Sequence, residues 1–181
     1  MAVTIRPVSA DELVPLVPGL ADLLIDVVQH GASMGFFPSV TVDEGRSYWL
    51  SLGPELRRGT RVLVGAFRND RIVGAGQLTL PSWPNARHRA ELQKLLVDST
   101  LQGRGVGRLL MTVLHATARQ RGRSLILLNT REGRTERFYK NLGYKEVGVI
   151  PGYSVGPAGE RIDSMTLYQE LDLADGLATS T

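Results

Sequence analysis

The stretch "STLQGRGVGRLL", Ser99 to Leu110, places glycine at three alternate positions, Gly103, Gly105 and Gly107. It separates an apolar strand, "RAELQKLLV" (Arg89 to Val97), from an apolar helical run that begins near Gly105 and ends near Gln120. Glycine at this density lets a main chain approach a ligand that a Cβ would block. Amides at the start of a helix, together with the helix dipole, favour an anion. A nucleotide-hydrolysing P-loop needs Lys-Ser/Thr after its last glycine, and Gly107 is followed by Arg108 and Leu109. A dinucleotide fingerprint needs a small third residue, and Arg108 stands there. The acid that would bind a ribose some 20 residues on is also missing, because that region reads "SLILLNT". What remains is Gln/Arg-x-x-Gly-x-Gly/Ala, here Gln102, Gly103, Arg104, Gly105, Val106, Gly107: a pyrophosphate cradle with Arg104 and Arg108 at its rim.

Downstream of the cradle, "SLILLNT" (Ser124 to Thr130) is a continuously apolar strand that the helix would bring parallel to the Arg89 strand. A short helix, "RTERFYKNLG", ends at Gly143, and "YKEVGVIP" and "DSMTLYQEL" read as a last pair of strands. Upstream, "VTIRP" is a strand by alternation. Ser9 with Glu12 and Thr41 with Glu44 have capping-box spacing. They predict one helix from Ala10, with Pro15 and Pro18 disturbing its first half, and a second running to about Leu56. "TRVLVGAF" and "IVGAGQLTL" form a hairpin around Asn69-Asp70. The order β-α-α-β-β-β-α-β-α-β-β is that of an α/β fold with a mixed sheet. It predicts one domain over residues 1–171, with 172–181 as a frayed tail.

The chain has 181 residues, no cysteine and a net charge of +3. Without cysteine there are no disulfides, thiolate metal sites or cysteine nucleophile, and a reducing cytoplasm is the expected location. No apolar run has the length of a membrane span, and the start shows no signal-peptide pattern. The mild positive charge suits an anionic small ligand and is too dispersed for nucleic acid. His30, His88 and His115 form no metal pattern, and His115 is read as a structural or surface residue of its helix.

"KLLVDSTLQGRGVGRLLMTVL" resembles the acetyl-coenzyme A motif of the GNAT family of N-acetyltransferases, and "RFYKNLGY" resembles that family's second motif. The two lie in the family's order and near its spacing. The resemblance implies the family's fold: a mostly antiparallel sheet of about seven strands with flanking helices and a central parallel pair splayed at the cofactor site. It implies acetyl-coenzyme A as co-substrate, no metal, and an assembly that is often a homodimer.

The family's reaction is attack of an amine on the thioester. Residues 102–108 would hold the pyrophosphate. A backbone amide among Leu95, Leu96 and Val97 would polarise the thioester carbonyl. Tyr139 matches the family's tyrosine acid, which returns a proton to the thiolate; its bland alternative is an aromatic packed beside Phe138. Tyr144 reads as core. Glu91 lies four residues before Leu95, on the same strand face by alternation and roughly 13 Å away, a separation suited to a base acting through water. Its alternative is a solvated glutamate, or one paired with Arg89 or Lys94. Many family members carry an acid where this chain has Asn129, which can orient water or substrate by hydrogen bonding but cannot act as a base. On the acceptor side, the break "HGASMGFF", the loop "PSWPNARH" and "PGY" suggest Ser33, Phe36, Gln93 and Tyr153 as binding residues.

The resulting expectation is an acetyl-coenzyme A-dependent N-acetyltransferase acting on a small amine, such as an amino-acid-like toxin or antibiotic. Transfer would be direct, since no cysteine can carry the acetyl group. Two alternatives stand beside it: a peptide or protein N-acetyltransferase, and a non-catalytic acyl-coenzyme A-binding regulatory module.

Overall fold

A computed structural model describes residues 2–32 and 34–173. The strands are β1 (Thr4–Val8), β2 (Arg61–Arg68), β3 (Arg71–Thr79), β4 (Arg89–Val97), β5 (Leu125–Thr130), β6 (Lys145–Val155) and β7 (Arg161–Glu170). The helices are α1 (Ala10–Gln29), α2 (Val42–Ser51), α3 (Gly53–Arg58), α4 (Val106–Gln120) and α5 (Arg134–Lys140). Hydrogen bonding joins the strands in the order β1-β2-β3-β4-β5-β7-β6, mostly antiparallel, with β4 and β5 parallel. This is the predicted α/β architecture.

The chain divides into two compact units, residues 1–79 with 93–114 and residues 80–92 with 115–181, so that β4 and α4 each contribute to both. In the first unit, α1 lays Leu13, Leu20, Ala21 and Leu24 against Trp49 of α2 and Leu63, Ile72 and Leu96 of the sheet. Both predicted capping boxes are present: the Ser9 and Thr41 side chains accept the N–H of Glu12 and Glu44, whose carboxylates return to the cap residues. The hairpin turn is as expected, with Asn69 and Asp70 at φ of 50° and 60°. Gly74 and Gly76 of β3 leave room for α4. A Cβ at position 76 would stand 2.7 Å from Leu114 Cδ1, and one at position 74 would stand 3.1 Å from Leu110 Cδ1.

Three element predictions need correction. Helix α1 runs unbroken through Pro15 and Pro18. Each proline costs about 3 kcal/mol in a helix interior, and the apolar face buried along α1 offsets it. The second helix breaks at Leu52 into α2 and α3, because Pro54 has no N–H to continue the α2 ladder. Strand β6, expected to end at Pro151, extends to Val155, so "PGY" belongs to an edge strand, at an irregularity between Ile150 and Ser154.

In the second unit, β7 pairs with both β5 and β6, burying Met165 and Leu167 with Ile126 and Leu128. The parallel pairing of β4 with β5 covers Arg89–Glu91 and Leu125–Leu127, after which each strand runs on beyond the pairing. Of the predicted tail, residues 174–181 lie outside the described residues.

Candidate functional site

The first unit carries the predicted cradle. Gly103 and Gly105 have φ of +75° and +86°, a conformation that disfavours any side chain. A Cβ at position 105 would meet no atom within 4 Å, so the space over the loop is open. Gly107 lies inside α4 with ordinary helical geometry, so its value is the absence of a side chain. The first bond of the helix end runs from Leu109 N–H to the Gly105 carbonyl at 3.1 Å. The amides of Val106, Gly107 and Arg108 precede it and have no acceptor among the described residues, which is what a helix N-terminus offers an anion. The Val106 side chain is core, while Gln102, Arg104 and Arg108 are exposed. The Gln102 amide donates to the Val97 carbonyl at 3.3 Å, which turns the loop back onto the end of β4. Asp26 of α1 anchors the start of the loop, accepting the Ser99 N–H and hydroxyl at 2.8 Å each.

Along β4, Leu96 is buried in the first unit's core and Leu95 packs toward the Gly76 position. Lys94 has φ of +48°. That left-handed residue interrupts the alternation on which the same-face argument for Glu91 and Leu95 depended.

A side-chain cluster surrounds Lys94. The Arg61 Nε donates to Glu55 at 2.5 Å, and its Nη1 donates to the side-chain oxygens of Gln77 at 2.9 Å and Gln93 at 3.1 Å. The Tyr48 hydroxyl also donates to Gln77, at 3.1 Å. The Lys94 ammonium donates to the Met34 carbonyl and stands 5.7 Å from the Phe36 ring centroid and 5.3 Å from that of Tyr48. Burial, and then the Arg61 charge, hold the Lys94 ammonium below the usual lysine range. The predicted residues Phe36 and Gln93 therefore meet in this cluster, and Phe37 stays half-exposed; Ser33 lies outside the described residues.

The second unit carries the remaining candidates. Helix α5 is fixed at its start by Glu136, whose carboxylate accepts the Gly133 N–H at 3.0 Å and pairs with Lys140 at 2.8 Å. Those contacts hold the Glu136 carboxyl below its ordinary range, the Lys140 bond contributing most. Tyr139, one turn on, is buried between Phe138 and Tyr144, with ring centroids at 5.1 and 5.6 Å. Burial pushes the Tyr139 phenol well above its usual value, and its hydroxyl has no hydrogen bond to the protein among the described residues. Tyr144 differs: its hydroxyl meets His115 Nε2 at 3.0 Å, and burial moves His115 down to about 4. Tyr144 and His115 are thus core groups satisfying each other.

Asn129 accepts a hydrogen bond from the Thr166 hydroxyl at 2.8 Å and donates to the Tyr153 hydroxyl at 3.4 Å, so two predicted residues come together at the end of β5. Glu91 sits half-buried opposite Leu127, and its carboxylate makes no ion pair among the described residues, neither with Arg89 nor with Lys94. A cavity of about 230 Å³ lies nearby in sequence, lined by Arg131, Glu132, Val149, Ile162, Asp163 and Met165. Among the described residues no cluster of His, Asp and Glu could hold a metal, and no helix is long and apolar enough to cross a membrane.

Sequence reasoning missed Tyr48, Arg61, Gln77, Lys94 and Asp26. One signal was available. The alternation from Arg89 to Gln93 is broken by Lys94, a second consecutive polar residue, ahead of the apolar run Leu95 to Val97.

A sequence model of the acetyltransferase (GNAT) family matches residues 31–144. A Salmonella typhimurium protein solved with its cofactor acetyl-CoA has a TM-score of 0.75 at 18% identity, covering 100% of both chains. A ribosomal-protein-alanine N-acetyltransferase from Brucella melitensis scores 0.74 at 23% identity, over 93% of this chain and 99% of its own. A candidate phosphinothricin N-acetyltransferase scores 0.74 at 20% identity, over 94% and 99%.

Proposed function

Because the chain belongs to the GNAT family of acetyltransferases, we propose that it transfers the acetyl group of acetyl-coenzyme A to the amine of a small molecule. The observation that carries the reading is the loop from Gln102 to Arg108. Its amides at the head of α4, which have no partner among the described residues, its two left-handed glycines, and the open space over Gly105 fit a pyrophosphate. Bound there, acetyl-coenzyme A supplies the activated thioester.

The chain's residues then take these roles. Arg104 and Arg108 add charge at the rim of the cradle. An amide of Leu95, Leu96 or Val97 polarises the thioester carbonyl. Tyr139 protonates the departing thiolate; its raised pKa keeps the hydroxyl protonated across the working range, and no protein acceptor competes for it. The acceptor amine has a pKa of about 10 in water and must lose a proton before it attacks. Glu91, whose carboxylate makes no ion pair among the described residues, takes that proton through water, and Asn129 with Tyr153 orients the acceptor or that water. The sequence has no cysteine to carry an acetyl group, so transfer is direct within a ternary complex.

The finer expectations belong to the same proposal. Residues 1–171 act as one domain, in the cytoplasm, with a homodimer as the assembly to test. An amino-acid-like toxin or antibiotic as acceptor is supported by the phosphinothricin neighbour and by segments that resemble the tabtoxin resistance acetyltransferase, "GLADLLIDVVQHGASMGFF" and "VGVIPGY". A thiol-release assay with acetyl-coenzyme A, small amines and a short peptide tests the reading. Release with small amines is expected. Release with the peptide alone moves the protein to the peptide-acetylating class, and tight cofactor binding without release from any acceptor makes it a regulatory module.

A further inference from the structure

The cluster around Lys94 has a surplus of donors and one uncompensated charge. Arg61 can only donate, so it fixes the amides of Gln77 and Gln93 with their oxygens toward it. Both NH₂ groups are thereby turned away from Arg61. That of Gln77, a residue with no exposed surface, is buried without an acceptor, and that of Gln93 faces solvent. Arg61 is balanced by Glu55. Lys94 is balanced by nothing: its ammonium spends one N–H on the Met34 carbonyl, faces two aromatic rings, and has no carboxylate within ion-pair distance among the described residues. Half-buried ammonium groups without a counter-charge are costly to keep.

The backbone holds this arrangement in place. With Lys94 left-handed, two consecutive side chains of β4 reach the same cluster, Gln93 through Arg61 and Lys94 through Tyr48 and Phe36. The next residues along the strand are Leu95 to Val97, where the proposed function places the thioester. At about 3.3 Å per residue, a group one or two bonds from an attacking amine falls within a residue or two of that position.

We propose that the acceptor carries a carboxylate beside its amine, and that the Lys94 ammonium receives this carboxylate with help from the free amide N–H groups of Gln93. The inference rests on the acetyltransferase reading and names the substrate class of that site. Lys94 and Gln93 are specificity residues and take no part in the proton transfers.

The test pairs an amino acid with its carboxamide, across a panel of small side chains, in the full chain. Thiol release gives kcat and KM, and calorimetry gives acetyl-coenzyme A affinity separately. The unaltered protein should favour the acid by about tenfold or more, the size of a charge-assisted hydrogen bond. Lys94→Met should abolish that preference through KM, and Lys94→Arg should restore most of it. Gln93→Met, at an exposed side chain, should weaken the preference by about threefold without threatening the fold. Equal losses for acid and carboxamide in Lys94→Met, or no preference for the acid in the unaltered protein, would overturn the inference. Transfer to uncharged amines only would overturn it and leave the acetyltransferase reading standing. Bound acetyl-coenzyme A without release from any acceptor would remove both.

Discussion

The cradle at residues 102–108 and the cluster around Lys94 share one unit and are built in opposite ways. The cradle uses consecutive residues and main-chain amides; its chemistry is the shape of a short loop ahead of a helix. The cluster draws Met34, Phe36, Tyr48, Arg61, Gln77, Gln93 and Lys94 from segments up to 60 residues apart, and its chemistry lies mostly in side chains. A backbone-built site suits a ligand every family member shares. A side-chain-built site can change its ligand by substitution while the fold stays the same.

If that contrast is right, variants at side chains should alter rate, acceptor choice or stability, and variants in the loop should alter cofactor affinity. The largest effect is expected for Tyr139→Phe. Its kcat should fall by about 10²-fold or more, with acetyl-coenzyme A affinity and thermal stability unchanged, because the lost hydroxyl has no partner among the described residues. Unchanged kcat would return Tyr139 to simple packing. Next, Arg61→Met strips Gln77, Gln93 and Glu55 of a shared donor. Denaturant titration should show a loss of about 1–3 kcal/mol, with cofactor affinity intact; a fall in that affinity would blur the contrast. Gly105→Val puts a branched side chain at φ of +86° in the cradle. Calorimetry should show acetyl-coenzyme A affinity falling about tenfold, roughly 1.4 kcal/mol, while kcat at saturation holds.

The last expectation concerns pH. His115, held down to about 4 by burial and then by the Arg119 charge, stays neutral in the fold while the unfolded chain protonates near 6.5. Its folded pKa is the lower one, so the unfolded state binds more protons between these values. Stability is complete above 6.5 and declines as pH falls toward 4. The urea midpoint should drop through that window, and His115→Gln should flatten the drop.

What could be read early follows the same division. The cradle was legible because its spacing is local and glycine has few reasons to recur at positions 103, 105 and 107. The capping boxes and the Asn69-Asp70 turn were legible for the same reason. The α1 prolines misled because propensity is local while the burial that overrides it is tertiary. The strand "YKEVGVIP" runs past its expected end at Pro151 because an edge strand tolerates proline where a central strand does not. Gln93 and Phe36 were named without their partners: Arg61 meets Gln93 from 32 residues away, and nothing local marks such a pairing. The alternation behind the Glu91 argument ended at a left-handed lysine, a backbone state that sequence rarely announces.

The central claim is that one acetyl group leaves acetyl-coenzyme A for one acceptor amine without resting on the protein. Its most direct test is a reaction with isotopically labelled acetyl-coenzyme A and the best amine of the panel, following thiol, acceptor and protein together by mass spectrometry. The account predicts labelled N-acetyl acceptor in step with released thiol, and an unlabelled protein throughout. Thiol release without labelled acceptor, or a labelled protein that forms and decays at the turnover rate, would contradict it.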